Sequence, residues 1–204
     1  MDTALILAGG ESARFGRPKA LVDIGGNPMI RWVIDAVTPL GDEVVVSVAN
    51  SRMADRIRPI APQARFVVDR REGVGPIEGI ARGFETARGE RVIVAPCDAP
   101  LLRSELYRLL LEVLGEFDAA VPRLEAIDPV RAVYQRRRVL EVLNRSRGIP
   151  SPSALVDRLR CRFVDADRIR AVDPDLTSFW DVNNPADLDR VRQELAARDP
   201  GTSS

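Results

Sequence analysis

The sequence has 204 residues, with 30 basic and 30 acidic side chains and a formal net charge of zero at pH 7. A chain of this length buries enough apolar surface to fold as one domain without disulfides. The balanced charge excludes a general attraction to nucleic acid or to anionic membranes, so an anionic ligand requires a local site. No apolar run reaches the roughly 18 to 20 residues that span a bilayer, and no basic stretch precedes the first apolar run, as it would in a signal peptide. We therefore expect a cytoplasmic protein without nucleic-acid or membrane partners.

Two residue types are almost missing. There is no histidine, which excludes Ser-His and Cys-His nucleophile pairs and HExxH zinc sites. Cys97 and Cys161 form no CxxC motif, which disfavours a structural zinc site. Of the basic residues only Lys19 is a lysine. Because all the remaining basic residues are arginines, we infer that position 19 requires a compact ammonium group.

Four short apolar runs predict strands that are buried on both faces. They are Thr3 to Ala8, Glu43 to Ala49, Arg65 to Val68 and Arg91 to Ala95. Two segments between or after them have helical spacing, Ile30 to Val37 and Leu106 to Val113, the second with Ser104 as its expected cap. This alternation predicts a three-layer α/β/α fold around a Rossmann-like, mostly parallel sheet of order 3-2-1-4.

We interpret residues 117–164 as an insertion that faces an acceptor substrate within the same domain, residues 1–197. Its runs Ala119 to Val121, Val130 to Tyr134 and Arg162 to Val164 predict strands, and Gly148 to Pro152 predicts a loop. Asn184 as N-cap, Pro185 and Asp187 predict the start of a last helix. A polar tail is expected over residues 198–204.

The first predicted strand runs into a glycine loop, residues 7–19. Glycines after a buried strand let backbone N–H groups approach a phosphate, although an ordinary tight turn has the same pattern. Ala20 follows Lys19 where a Walker A motif has Ser or Thr, and the loop lacks GxGxxG, which disfavours a nicotinamide or flavin enzyme. We expect an anion-binding loop with Lys19 among the phosphate oxygens.

Carboxylates follow other strands at the same predicted edge of the sheet. Asp98 faces the glycine loop if the strand order is 3-2-1-4, and it holds magnesium against a phosphate or caps the next helix. Asp181 is a candidate second metal ligand and Asn183 a candidate donor to a phosphate or sugar oxygen; both alternatively only organise a turn. Asp69 and the stretch from Gly75 to Gly79 lie where a base and ribose would extend.

Transfer between phosphates suits a protein without histidine. A phosphate monoester with a second pKa of about 6 is a dianion at neutral pH and needs no general base. Lys19 and magnesium on Asp98 would screen the repulsion between the phosphates and stabilise a pyrophosphate leaving group.

These motifs resemble those of the molybdenum cofactor guanylyltransferases, the MobA-like family. The resemblance depends on residues 7–16 with Lys19, and on residues 75–80, 97–100 and 181–185. It implies magnesium-dependent transfer of GMP from GTP to the phosphate of molybdopterin, with other cofactor-handling proteins as further partners. It also implies that Lys19 and Asp98 are catalytic, that Asp98 carries magnesium, and that the nucleotide-binding set is Leu7, Ala8, Gly9, Gly10, Ser12, Arg14, Lys19, Asp69, Gly75 and Asp98.

The sequence departs from the family pattern at three places. Ser47, with Asn50 three positions later, stands where the family often has asparagine at the end of the second strand. Asp181 also replaces a common asparagine, so the resemblance does not imply its metal role. The acceptor-facing region matches poorly; its candidates are Asn183, Arg147 and Arg136 to Arg138, and a solvated basic face is the alternative for the arginines.

Other functions remain open at this point. The same chemistry serves CTP:molybdopterin cytidylyltransferases and nucleotidyltransferases that act on cobinamide phosphate or a sugar phosphate. A non-catalytic nucleotide-binding module is the alternative from another class. Lys19 and Asp98 together argue against that module, because binding alone tolerates arginine at position 19 and loss of the metal ligand.

Overall fold

The computed structural model describes residues 1–9, 15–71, 73–146 and 148–198. The strands are β1 (Asp2–Ala8), β2 (Asp23–Ile24), β3 (Asn27–Pro28), β4 (Glu43–Val48), β5 (Arg65–Val68), β6 (Arg91–Pro96), β7 (Ala119–Arg123), β8 (Ala132–Gln135) and β9 (Cys161–Asp165). The helices are α1 (Met29–Val37), α2 (Ser51–Ile57), α3 (Pro76–Thr86), α4 (Ser104–Leu114), α5 (Arg136–Arg145), α6 (Pro152–Val156), α7 (Ala166–Arg170) and α8 (Pro185–Arg198). Short 3-10 turns lie at Lys19–Leu21, Thr38–Leu40 and Thr177–Phe179.

The central sheet has the strand order β5-β4-β1-β6-β8-β7-β9. Strands β5, β4, β1 and β6 are mutually parallel, which confirms the four predicted strands and their 3-2-1-4 order. β8 runs antiparallel to both of its neighbours, and β9 pairs parallel to β7. The segment from residue 117 to 164 therefore extends the same sheet, and the predicted α/β/α class is confirmed.

Helices cover both faces of the sheet, which is why β1 is apolar from Ala4 to Ala8. Ala4 and Ile6 pack into the cluster formed with α1, α2 and α4. Leu5, which points to the other face, packs into the cluster formed with α3, α5 and α6. In a strand that is buried on both faces, polar and apolar residues do not alternate, because neither side of the strand faces water.

The start of α8 forms as the sequence predicts. The Asn184 side chain accepts a hydrogen bond from the Asp187 N–H at 3.0 Å, and Asp187 accepts one from the Asn184 N–H at 3.0 Å. This reciprocal cap satisfies N–H groups of the first turn that have no partner within the helix. Leu188 and Val191 of α8 pack against Val182, which fixes the segment just before the helix.

Three local predictions are wrong. Ser104 is the first residue of α4 and not its cap, because its hydroxyl donates to the Ala36 carbonyl in α1 at 2.7 Å. Pro152 opens α6, capped by Ser151, and does not belong to the preceding loop. Arg198 ends α8 and is held by Glu194 and Thr177, so it is not part of the tail; residues 199–204 lie outside the described residues.

None of the described helices combines the length and the apolar character that a membrane span needs.

Candidate active site

A cleft of about 690 Å³ opens at the C-terminal ends of β1, β4, β5 and β6. This is the edge at which an open parallel sheet binds ligands. Of the residues singled out from the sequence, the cleft lining contains Leu7, Gly9, Lys19, Asp69, Gly75, Asp98 and Asp181. The Ala8 side chain is buried in the core. Gly10, Ser12, Arg14 and Arg147 lie outside the described residues.

Lys19 and Asp98 meet in this cleft. The Lys19 Nζ donates to Asp98 Oδ2 at 2.9 Å and to Asn183 Oδ1 at 2.8 Å. The Lys19 and Asp98 side chains are 17% and 24% exposed, so a ligand in the cleft can reach both. The helix after β6 begins only at Ser104, which excludes the alternative that Asp98 caps it.

The backbone around these residues explains their positions. Cys97 N–H donates to the Leu7 carbonyl at 3.1 Å, which ties the end of β6 to the end of β1. Val182 N–H donates to the Asp98 carbonyl at 2.9 Å and brings Asn183 alongside. Lys19 opens a 3-10 turn in which Ala20 is buried in the core. The buried Ala20 therefore holds the main chain at Lys19 in place, and only the Lys19 side chain extends toward Asp98.

Arg131, which the sequence analysis does not single out, is the partner of Asp181. Its guanidinium is buried and contacts both Asp128 and Asp181. Burial, as the largest effect, raises the pKa of Asp181, and nearby Asp98 raises it further, whereas Arg131 lowers it. Asp181 is thus a cleft carboxylate with a cation behind it, and not only a turn residue.

Asp69 lies at the other end of the cleft. Burial raises the pKa of Asp69, and the hydroxyl of Ser47 opposes this by donating to Asp69 Oδ1 at 2.9 Å. A Cβ on Gly9 would lie 3.0 Å from Asp69 Oδ2, and one on Gly79 would lie 3.0 Å from Ser47 Oγ. The two glycines therefore let the first loop and α3 approach the Ser47–Asp69 pair.

The entry to α3 requires a glycine for a different reason. Gly75 has a φ of 84°, a backbone conformation that residues with a side chain rarely adopt. Pro76 is already the first residue of the helix, so most of the motif from Gly75 to Gly79 is helical. Glu78 in the first turn is buried, and its carboxylate accepts from Arg70 N–H and from the Arg71 guanidinium. Glu78 thereby holds Arg70 and Arg71, the two residues that follow Asp69.

Other candidates lie away from the cleft. Asn50 caps α2, because its side chain accepts from Met53 N–H at 3.0 Å. Arg137 and Arg138 both pair with Glu141 on α5, and Arg136 donates to the Phe84 carbonyl. None of these arginines lines the cleft, and the exposure of Arg137 and Arg138 favours the alternative of a solvated basic face for those two.

The donors of the cleft fit magnesium. Asp98 and Asp181 both supply carboxylate oxygens to the cleft, and Mg²⁺ is typically bound by one or two carboxylates together with substrate phosphates and water. Within the described ranges no three His, Cys, Asp or Glu side chains converge on a point where they could enclose a metal by themselves. Burial raises the pKa of the neighbouring Cys97 thiol, and Mg²⁺ takes oxygen ligands in preference to sulfur.

Comparison with known proteins gives matches over most of the chain. The family model for the MobA-like NTP transferase domain matches residues 4–162. The chain is 36% identical over 200 residues to a molybdenum cofactor guanylyltransferase from Desulfosudis oleivorans, covering 96% of each protein. It is 32% identical over 203 residues to a probable molybdenum cofactor guanylyltransferase from Methanosarcina acetivorans, covering 93% of this chain and 89% of the relative.

A solved structure shows the same architecture. The molybdopterin-guanine dinucleotide biosynthesis protein A from Archaeoglobus fulgidus superposes with a TM-score of 0.80 and 27% identity, over 97% of this chain and 100% of that one. The fold, the cleft and these relatives define a nucleotidyltransferase enzyme. Within that class, the chain belongs to the family of the MobA-like NTP transferase domain, as the resemblance of its motifs predicts.

Proposed function

We propose that the protein transfers GMP from GTP to the phosphate of molybdopterin and releases pyrophosphate. The observation that carries the proposal is the contact between Lys19, the one lysine of the sequence, and Asp98 inside the cleft at the ends of β1 and β6. The relatives named as molybdenum cofactor guanylyltransferases support GTP and molybdopterin as the two substrates.

The residues of the cleft supply what this reaction needs. An oxygen of the acceptor phosphate attacks the α-phosphorus of GTP; one P–O bond forms, and the bond from the α-phosphorus to the oxygen that bridges to the β-phosphorus breaks. The acceptor is already a dianion at neutral pH, because its second pKa is about 6, so no protein base has to remove a proton. Lys19, held by Asp98 and Asn183, places a positive charge where the triphosphate would lie. There it neutralises charge that develops on the leaving pyrophosphate.

Magnesium is the cofactor we propose. Asp98 would hold it, with Asp181 as a second carboxylate, and it would supply further neutralisation of the phosphate charges. The ion pair between Lys19 and Asp98 leaves the lysine poised to exchange its carboxylate partner for a phosphate. Asn183 keeps the ammonium group in place during that exchange, since its side-chain oxygen also accepts from Nζ.

The Ser47–Asp69 pair favours guanine over cytosine. Asp69 Oδ1 already accepts a hydrogen bond from Ser47, and an ionised carboxylate accepts hydrogen bonds only. The pairing edge of guanine presents two neighbouring N–H donors, whereas that of cytosine presents one donor beside two acceptors. An acidic end of the cleft therefore attracts the first base and repels the second.

Pyrophosphate release tests the proposal. The purified protein is incubated with Mg²⁺, each of the four NTPs and molybdopterin, and with GTP plus cobinamide phosphate or a sugar phosphate. We expect turnover only with GTP and molybdopterin. Turnover with CTP in place of GTP, or with another acceptor in place of molybdopterin, would overturn the substrate assignment. Nucleotide binding without any pyrophosphate would point to a non-catalytic module.

The control for this assay is Arg123→Lys. Arg123 pairs with Asp165 on an exposed part of β7 and β9 and does not line the cleft. We expect this variant to keep the activity of the wild type.

The reaction would take place in the cytoplasm, a location supported by the two free cysteines, Cys97 and Cys161, which are typical of a reducing compartment.

A further inference from the structure

Arg131 is a buried cation in the wall of the cleft. The residue is only 3% exposed, yet it lines the cleft next to Asp181. Its Nε donates to the Ser178 carbonyl at 2.8 Å, its Nη1 to Asp128 Oδ2 at 2.6 Å, and its Nη2 to Asp181 Oδ1. Each nitrogen of the guanidinium therefore has an acceptor of its own.

Asp128 and the Phe179 ring hold the guanidinium in position. The Asp128 carboxylate also accepts from the backbone N–H groups of Val130 and Arg131, at 3.2 and 3.1 Å, so it is fixed by its own loop. The guanidinium carbon lies 5.6 Å from the centre of the Phe179 ring. The arginine plane is thus set before any ligand binds, and its third nitrogen points to Asp181.

Asp181 is the more exposed partner. Its side chain is 38% exposed, against 4% for Arg131 and 18% for Asp128. It shares the cleft wall with Asp98, and two carboxylates in one cleft repel each other. Without the positive charge of Arg131 next to it, the Asp181 carboxylate would lower its electrostatic energy by rotating into solvent, away from Asp98. Arg131 opposes that rotation.

We propose that Arg131 is a positioning residue that holds the Asp181 carboxylate beside Asp98, so that both present oxygen ligands to the divalent cation that enters with the triphosphate. The inference rests on the proposed function for the identity of the bound pair, a nucleoside triphosphate and a divalent cation. Lysine cannot replace this arginine fully, because a single ammonium group lacks the planar fork that reaches Asp128 and Asp181 together.

The test measures metal binding directly. Mn²⁺ replaces Mg²⁺ as the probe, and its affinity in the presence of GTP is followed by electron paramagnetic resonance for the wild type, Arg131→Met and Arg131→Lys. Loss of a residue that orients a metal ligand typically weakens metal affinity by about 10- to 100-fold, and we expect that range for Arg131→Met and a smaller loss for Arg131→Lys. GTP affinity in EDTA should change little, since Arg131 acts only through the carboxylate.

A double-mutant comparison separates positioning from a general structural effect. In an Asp181→Asn background, Arg131→Met should weaken Mn²⁺ binding by no more than about twofold, because the group it positions is already lost. The same loss in both backgrounds would overturn the proposal, as would an equal loss of GTP affinity in EDTA. Arg123→Met, which breaks an Arg–Asp pair outside the cleft, is the matched control and should bind Mn²⁺ like the wild type.

Arg131→Met leaves two carboxylates near one another and is the variant most exposed to misfolding. Asp128→Asn is the milder substitution, because Arg131 keeps Asp181 and the Ser178 carbonyl. We expect weaker Mn²⁺ binding in Asp128→Asn at unchanged near-ultraviolet circular dichroism; wild-type Mn²⁺ affinity in both this variant and Arg131→Lys would overturn the proposal. No acceptor substrate is used, so an absence of pyrophosphate release with molybdopterin would contradict the proposed function without deciding the role of Arg131.

Discussion

Replacing Lys19 by arginine keeps the positive charge and changes only its shape. The ammonium group contacts Asp98 Oδ2 at 2.9 Å and Asn183 Oδ1 at 2.8 Å from one nitrogen atom. A guanidinium spreads its charge over a planar fork and is longer, so it cannot occupy the same point between the two acceptors. Lys19→Arg should therefore reduce the rate while the protein stays folded.

Lys19→Arg should change the rate much more than it changes the free energy of unfolding. Removing one preorganised donor to a developing negative charge costs about 10²- to 10³-fold in kcat, or about 2.7 to 4 kcal/mol. Because arginine retains the charge, we expect the lower end, about 100-fold. The Lys19 and Asp98 side chains are partly exposed, and an ion pair of that kind contributes about 1 kcal/mol or less to stability. The free energy of unfolding should change by no more than this.

The assay pairs initial rates of pyrophosphate release with urea unfolding for Lys19→Arg, the wild type and the control Arg123→Lys. A rate loss of about 100-fold (2.7 kcal/mol) with a stability change within about 1 kcal/mol is the expected outcome. Wild-type turnover in Lys19→Arg would refute the requirement for an ammonium group. A loss of stability as large as the loss in rate would refute the separation between site and fold.

Other substitutions test separate parts of the site and of the fold. Asp98→Asn should lower kcat by at least about 100-fold and weaken the response to Mg²⁺, while GTP affinity in EDTA changes little; equal losses in both measurements would contradict the metal role. Burial raises the pKa of Asp69, so its contribution to stability is greatest at acidic pH and is lost as the pH rises through its pKa in the folded protein. Asp69→Asn should therefore raise the melting temperature at pH 7 more than at pH 4, and it should lower GTP affinity. A larger rise in melting temperature at pH 4 than at pH 7 would contradict a destabilising effect of burial on the ionised Asp69 carboxylate. A Cβ on Gly89 would lie 2.7 Å from Thr3 N, so Gly89→Ala should destabilise the protein by about 1 to 3 kcal/mol in urea without changing the kcat of the folded fraction; unchanged stability would contradict the close packing at that edge.

The features of the fold that the sequence predicts are those with a local signal. The run Arg65 to Val68 is a strand with the same limits in the structure. Val67 packs on one face of the sheet and Phe66 and Val68 pack on the other, which is why the run is apolar after Arg65. The cap at Asn184 is equally local. Ser104 fails as a cap because its hydroxyl finds the Ala36 carbonyl, a contact between two helices that no pattern within either one reveals.

The same distinction applies to the site. Lys19 and Asp98 are 79 positions apart, yet the strand order places the end of β6, which leads into Asp98, beside the end of β1, from which the chain leads on to Lys19. Arg131 has no such rule. Its partners Ser178 and Asp181 are 47 and 50 positions away, and nothing in the sequence separates it from the 28 other arginines. A buried cation is recognisable only once the surrounding segments are in place.

The geometry of the proposed triphosphate site is tested most directly by a crystal structure of the protein with a non-hydrolysable GTP analogue and Mn²⁺, in which anomalous scattering locates the metal. We expect Mn²⁺ on the Asp98 carboxylate and the Lys19 Nζ within hydrogen-bond distance of a phosphate oxygen, in the cleft at the ends of β1 and β6. A triphosphate bound elsewhere, or bound in this cleft with Lys19 still paired to Asp98 and no metal between Asp98 and the phosphates, would contradict the proposed catalytic site.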